Sequence, residues 1–213
     1  ENILGRIRAA QRKPGAITAD ERATVAARLH AQAEGPRPQQ PDDALAGFTA
    51  CALKLSTTLD DVAGMADVPA AIARYLEEHK LPKQAVCWPD LAELEWQAAG
   101  IEVEARVAQG SDLVGITTAF CAIAETGTLM TLSGPRTPAP SSLLPETHIA
   151  VVRKARIVRS MEDAWKLLRM ERGDSFMPRA LNFISGPSRT ADIEQTLVLG
   201  AHGPYRVHIV LVG

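Results

Sequence analysis

A single glutamate stands among small and hydroxyl-bearing residues in the middle of the chain. Residues 115–118 read Gly-Ile-Thr-Thr, and residues 124–128 read Ala-Glu-Thr-Gly-Thr. Glu125 has apolar neighbours and few charged ones, so burial is expected to strengthen it as a general base or nucleophile. The alternative is that Glu125 accepts hydrogen bonds from backbone amides and fixes a turn. The candidate site residues of these two segments are Thr117, Thr118, Glu125, Thr126, Gly127 and Thr128.

A second segment, residues 184–194, has the composition of an anion-binding loop. Its sequence, Ile-Ser-Gly-Pro-Ser-Arg-Thr-Ala-Asp-Ile-Glu, predicts a strand, a glycine loop and a helix over 191–198. The amides at the helix start, two hydroxyls and a guanidinium could together hold a phosphate or carboxylate. The expected position is also suitable, because open α/β sheets bind ligands at the carboxyl ends of their strands. The same residue types also make an ordinary helix start. The candidate ligand-binding residues here are Gly186, Ser188, Arg189, Thr190 and Asp192.

A third segment, Gly-Ala-His-Gly-Pro at 200–204, is a predicted tight turn with an imidazole at its tip. His202 between two glycines could shuttle a proton or donate to an oxyanion. A loop histidine among turn residues is also commonly incidental. Arg136, which ends the sequence Ser-Gly-Pro-Arg, is a weaker candidate for anion binding.

Composition excludes several classes of function. The net charge of the 213 residues is −2, and no basic tract offers a nucleic-acid footprint. The longest apolar stretches, such as 113–116 and 209–212, fall far short of a membrane span. Residues 1–10 contain scattered charges and no apolar signal segment, so we expect a cytoplasmic protein.

Cysteine and histidine spacing does not indicate a metal site. The three cysteines, Cys51, Cys87 and Cys121, form no Cys-x-x-Cys pair, and the five histidines are dispersed. We expect buried structural thiols and no metal ligand.

These candidate segments must be positioned by helices and strands that the periodicity predicts. Helical patterns occupy the first 56 residues, interrupted by a proline-rich linker at 35–41. From Thr57 onward, short strand-like runs alternate with helical runs, which is typical of a mainly parallel open sheet flanked by helices. The pattern predicts a helix over 90–99 and an edge strand over 101–107. The predicted domains are an N-terminal helical extension at 1–56 and an α/β domain at 57–213.

Taken in order, the three segments resemble the LUD-domain family over about 57–213, and more loosely over the N-terminal helices. The resemblance implies a fold like that of sugar-phosphate isomerases, CoA-transferases and formyltetrahydrofolate cyclo-ligase. It also implies a role in oxidising L-lactate to pyruvate, alongside two partner proteins that carry iron–sulfur clusters. A related branch joins this domain to ferredoxin-type cysteine motifs, which this sequence does not contain, so we expect no redox cofactor of its own.

Three hypotheses follow from the residues and the resemblance. The first is a non-redox subunit of a lactate-oxidising system that binds a small anionic metabolite and docks on the cluster-bearing partners. The second is an independent enzyme, similar to an acyl- or CoA-transferase or a sugar-phosphate isomerase, that uses Glu125. The third is a regulatory module that binds a metabolite without chemistry.

Overall fold

The computed structural model describes residues 2–11, 17–37, 42–190 and 198–213. Its contacts divide the chain into two compact units, Glu1–Arg37 and Pro38–Gly213. The helices are α1 (Ile3–Ala10), α2 (Ala19–Ala31), α3 (Ala44–Lys54), α4 (Val68–Glu78), α5 (Pro140–Leu143) and α6 (Met161–Arg172). The strands are β1 (Thr58–Val62), β2 (Gln84–Cys87), β3 (Glu102–Ala105), β4 (Val114–Thr118), β5 (Cys121–Ile123), β6 (Thr128–Leu132), β7 (Thr147–Arg153), β8 (Ile157–Val158), β9 (Leu181–Ile184), β10 (Arg189–Thr190), β11 (Val198–Leu199) and β12 (Arg206–Val212).

The first unit consists of α1 and α2. Helix α2 begins with a capping box, in which the Thr18 hydroxyl accepts from the Glu21 amide and the Glu21 carboxylate accepts from the Thr18 amide. This local pairing satisfies two amides that would otherwise have no partner. Neither helix buries a residue.

The second unit is built on a six-stranded sheet in the order β1-β12-β7-β4-β2-β3. All five strand pairs are parallel, which confirms the predicted mainly parallel α/β fold. Strand β3 lies at the edge, in agreement with the alternation of apolar and charged residues in its sequence. In the centre, β7 and β12 are buried along nearly their whole length, as parallel strands covered on both faces are.

Different layers cover the two faces of this sheet. Helix α4 packs on one face through Ile72, Tyr75 and Leu76. A smaller sheet, in the order β8-β5-β6-β9, and helix α3 cover the other face. Helix α6 packs on the outer side of the smaller sheet through Ala164 and Leu168. Helix α3, which we assigned to the N-terminal extension, therefore contributes to the core of the second unit through Phe48 and Ala52.

The predicted helix over 90–99 is wrong. A 3₁₀ turn at Pro89–Leu91 is followed by further turns. The side chain of Trp96 is buried, and its Nε1 donates to the Leu91 carbonyl at 2.8 Å. In an α-helix, the Leu91 carbonyl would accept a hydrogen bond from the amide of residue 95. Here the Trp96 side chain donates to this carbonyl instead.

The helix predicted over 191–198 is not supported at its last residue, and residues 191–197 lie outside the described part of the chain. Val198 belongs to β11, which pairs antiparallel with β10. The preceding strand, β9, belongs to the smaller sheet and pairs antiparallel with β6. We expected the loop after β9 to extend from the carboxyl end of the parallel sheet. It follows a strand of the smaller sheet instead.

Each helix in the described ranges is too short or too polar to cross a bilayer.

Candidate functional site

The first two predicted segments meet at the carboxyl end of α3. Gly127 has a φ of +64°, and a Cβ there would lie 2.5 Å from the Ala52 nitrogen. Gly186 has a φ of +79°, and a Cβ there would lie 2.5 Å from the Leu55 carbonyl oxygen. Only glycine adopts this conformation without strain while allowing the α3 backbone so close. The two glycines thus seat both loops against α3.

Arg189 contacts the chain that leaves α3. Its Nη2 donates to the Leu55 carbonyl at 2.8 Å and to Ser56 Oγ at 2.7 Å. These contacts satisfy backbone and hydroxyl oxygens near a helix end. The guanidinium proposed to bind an anion is therefore engaged by the protein itself.

The third segment joins the second through backbone hydrogen bonds. The Ser188 amide donates to the Pro204 carbonyl at 2.8 Å, and the Gly200 amide donates to the Ser188 carbonyl at 2.9 Å. His202 is exposed and lines a hollow with Glu146 and Tyr205, beside the amino ends of β7 and β12. The structure thus brings the three segments together, with His202 facing the amino edge of the large sheet.

Glu125 lies between the smaller sheet and α6. Its Oε1 accepts from the amide of Met161, the first residue of α6, at 2.8 Å, and its own amide donates to the Arg159 carbonyl at 3.0 Å. A carboxylate at a helix start satisfies an amide and interacts favourably with the helix dipole. These contacts fit the turn-fixing alternative; the catalytic role of Glu125 remains a prediction.

The candidate threonines occupy different environments. Thr117 is buried, and its Oγ1 lies 2.8 Å from Nε2 of His148. Thr128 is also buried, and its Oγ1 lies 2.7 Å from Ser185 Oγ. Thr126 is exposed, and Thr118 ends β4 at the carboxyl edge of the large sheet. Of these four, Thr118 alone reaches the cavity described below.

Three candidates remain. Arg136 is exposed and donates through Nε to Asp90 Oδ1 at 2.9 Å. Thr190 is buried in β10, opposite Val198. Asp192 lies outside the described residues.

A cavity of about 460 Å³ opens at the carboxyl edge of the large sheet. After β2 the chain continues outward to β3, whereas after β4 it continues in the opposite direction to β7 and β12. The crevice between β2 and β4 is therefore a topological switch point, where open α/β sheets bind ligands. The cavity is lined by the carboxyl ends of β2, β4 and β7 with the segments that follow them, by the turn before α4, by the end of β6 and the segment after it, and by the end of α6. The lining residues are Met65, Trp88, Asp90, Leu91, Thr118, Ala119, Phe120, Leu132, Thr137, Val151, Arg153, Arg156, Glu171 and Arg172.

Three arginines give this cavity a positive wall. Arg156 binds both carboxylate oxygens of Glu171, donates to the Phe120 carbonyl at 2.8 Å and stacks on the Phe120 ring. This guanidinium holds the pKa of the Glu171 carboxyl below its usual range. Arg153 and Arg172, by contrast, form no hydrogen bond or ion pair within the described part of the chain.

Sequence reasoning missed most of this cavity. Residues 148–152 read His-Ile-Ala-Val-Val, an apolar run typical of a strand, and Arg153 and Arg156 come shortly after it. Basic residues after a parallel strand would have been the available signal. Thr118 is among the residues predicted from the sequence, whereas Trp88 becomes relevant only once the order of the strands is known.

The thiols of Cys87 and Cys121 are buried, whereas that of Cys51 is half-buried. Burial raises the pKa of Cys87 to about 11 and that of Cys121 to about 12. Such thiols are weak nucleophiles and weak metal ligands at neutral pH. No three His, Cys, Asp or Glu side chains group as a potential metal site within the ranges that the structure describes.

Comparison with known proteins places these features in a family context. A family model described as the LUD domain matches residues 52–212. Lactate utilization protein C from Exiguobacterium sp. (strain ATCC BAA-1283 / AT1b) is 41% identical over 118 residues, which cover 55% of this chain and 51% of the relative. Lactate utilization protein C from Bacillus subtilis (strain 168) is 39% identical over 119 residues, which cover 55% and 49%. This chain spans about half the length of the curated relatives it matches.

A solved structure supports the fold. The crystal structure of a DUF162 family protein from Deinococcus radiodurans superposes with a TM-score of 0.62 and 22% sequence identity. The superposition covers 83% of this chain and 100% of the other.

Proposed function

The chain belongs to the LUD domain family, as its three motifs predicted, and from this membership we propose that it is a component of an L-lactate utilization system. In this proposal it binds an anionic metabolite in the carboxyl-edge cavity and acts with cytoplasmic partner proteins that carry iron–sulfur clusters. Oxidation of L-lactate to pyruvate releases two electrons and two protons. The partners' clusters accept the electrons.

The name of the relatives is the first support for this proposal. Proteins named lactate utilization protein C share about 40% identity with this chain over the aligned segments. Identity at this level over more than a hundred residues makes a shared fold and a related role a reasonable inference.

The cavity at the switch point is the observation that carries the ligand-binding part. The cavity lies at a position where α/β sheets commonly bind ligands. It also contains the exposed guanidinium of Arg153, which has no hydrogen-bond or ion-pair partner in the described residues. The Thr118 hydroxyl at the end of β4 adds a hydrogen-bonding group to the same wall. An arginine recognises carboxylate and phosphate oxygens through paired N–H donors.

Reconstitution tests the proposed role. The purified iron–sulfur partners, L-lactate and an artificial electron acceptor are mixed with and without this chain, and pyruvate formation is followed. We expect the rate to depend on the chain. Equal rates with and without it would refute a role in lactate oxidation.

A further inference from the structure

We infer that the carboxyl-edge cavity accommodates a phosphate-bearing metabolite with an apolar body, larger than lactate. The inference rests on the proposed function and names the ligand class of the same site. It assigns the anionic group to Arg153 and Arg172, and the organic part to the apolar wall.

The size of the cavity is the first argument. Its volume is about 460 Å³, within the range of roughly 300–1,000 Å³ typical of sites for drug-sized ligands. At about 30 Å³ for each water in the liquid, this space corresponds to some fifteen waters. A three-carbon acid such as lactate would leave most of it filled with solvent, so a larger ligand fits better.

The charges that remain unpaired are the second argument. Asp90 is paired with Arg136, and Glu171 is paired with Arg156. Arg153, at the end of β7, and Arg172, at the end of α6, are exposed and form no hydrogen bond or salt bridge in the described residues. The Arg172 guanidinium lies 5.7 Å from the centroid of the Phe176 ring and helps Arg156 to lower the pKa of Glu171.

Two guanidiniums that approach from separate elements favour a group with several charged oxygens. A phosphate offers three such oxygens, whereas a monocarboxylate offers two and is satisfied by one arginine. The anionic group is therefore assigned to both Arg153 and Arg172.

Another part of the cavity wall is apolar. Met65 and Phe120, which are half-buried, both line the cavity, and the Arg156 guanidinium lies over the Phe120 ring. A free inorganic anion would leave this surface in contact with water, whereas the body of a phosphate ester would cover it. The ligand is accordingly a phosphate ester rather than phosphate alone.

Isothermal titration calorimetry with two matched probes, inorganic phosphate and phenyl phosphate, tests the inference. We expect phenyl phosphate to bind at least several-fold more tightly, because its ring covers the apolar wall. Arg153→Gln and Arg172→Gln should each weaken phenyl phosphate binding about tenfold, as expected for loss of one charge-assisted hydrogen bond. Both arginines are exposed, so circular dichroism and melting should show that the variants fold normally.

Lys80→Gln is the control variant. Lys80 is exposed and precedes β2 at the amino edge of the sheet, so the same loss of charge occurs away from the cavity. Its affinity for phenyl phosphate should equal that of the wild type.

Three results would overturn the inference: no binding of phenyl phosphate at millimolar concentration, equal affinity for the two probes, or unchanged affinity in both arginine variants. Displacement of phenyl phosphate by an equal concentration of L-lactate would also overturn it, by showing that a monocarboxylate occupies the site. The proposed role in lactate oxidation would survive each of these outcomes, because reconstitution measures it independently.

Discussion

Two buried histidines should make the stability of the protein fall as the pH drops below about 6.5. His148 Nε2 lies 2.8 Å from Thr117 Oγ1, and His208 Nδ1 lies 2.9 Å from Thr58 Oγ1. The second ring nitrogen of each histidine has no hydrogen-bond partner among the described residues. Burial lowers the pKa of each imidazole from its ordinary value of 6.5 to about 4.

The size of the effect follows from these values. Above pH 6.5 both imidazoles are neutral in the folded and the unfolded chain, so they leave the free energy of unfolding unchanged. Between pH 6.5 and 4 the unfolded chain binds protons that the folded chain excludes, and stability is lost. The loss is about 3 kcal/mol for each histidine at pH 4, and about 1.4 kcal/mol for each at pH 5.5.

Carboxyl groups change the free energy of unfolding mainly at a lower pH than the histidines do. The pKa values of Asp112 and Glu171 are lowered by Arg106 and Arg156, so their contribution is lost only as the pH falls below the ordinary carboxyl range of about 4. The interval from pH 7.5 to 5.5 therefore isolates the histidines.

Urea unfolding at pH 7.5 and 5.5, followed by tryptophan fluorescence, measures this difference. We expect the wild type to lose about 3 kcal/mol between the two conditions, and His148→Gln or His208→Gln to lose about half as much. Each variant is compared with itself at the two pH values, so a change in its absolute stability does not matter. A wild-type loss below about 1 kcal/mol, or an undiminished loss in both variants, would refute the reasoning.

Three further predictions concern the packing and hydrogen bonds around the candidate segments. Gly127→Ala should destabilise the protein by about 2–4 kcal/mol in urea unfolding, because the added Cβ clashes with α3 and the φ is unfavourable for alanine. Gly110→Ala is the control: a Cβ at this position meets no other atom, so the stability should change little. Glu125→Gln should retain lactate oxidation in the reconstituted mixture, since an amide oxygen can still accept from the first amide of α6; loss of activity with unchanged stability would instead support a catalytic role. Thr117→Val should cost about 1–3 kcal/mol in thermal or urea unfolding, because both ring nitrogens of His148 would then be buried without a partner; an unchanged stability would contradict this.

Much of the fold could be predicted because its signals are local. The alternation of β-type and helical periodicity indicated a parallel sheet, and the Thr18–Glu21 pair marked the start of α2. The Ser160 hydroxyl likewise accepts from the Asp163 amide at the start of α6. Such pairings depend on residues three apart and need no knowledge of tertiary structure.

The errors arose where side-chain contacts in the folded chain decide the local structure. Trp96 looked like a helical residue, but its indole donates to the Leu91 carbonyl and the chain turns instead. Arg189 looked like a free cation, but it binds the chain leaving α3, more than a hundred residues earlier. Neither contact leaves a trace in sequence spacing.

The cavity could not be predicted for the same reason. Trp88, Thr118 and Arg153 lie at the carboxyl ends of three strands that are neighbours only in the folded sheet. Their order, β7-β4-β2, requires a crossover that periodicity does not reveal. The first two motifs, in contrast, pack against the carboxyl end of α3, where Gly127 and Gly186 meet its backbone closely.

The most direct test of the central claim is the rate of L-lactate oxidation by the reconstituted mixture containing Arg153→Gln in place of the wild-type chain. Lys80→Gln serves as the charge-matched control on the opposite edge of the sheet. We predict that phenyl phosphate, added to occupy the cavity, changes the rate with the wild-type chain and with Lys80→Gln, and that Arg153→Gln requires about ten times as much phenyl phosphate for the same change. A wild-type response to phenyl phosphate with Arg153→Gln would contradict the assignment of the carboxyl-edge cavity as the functional site.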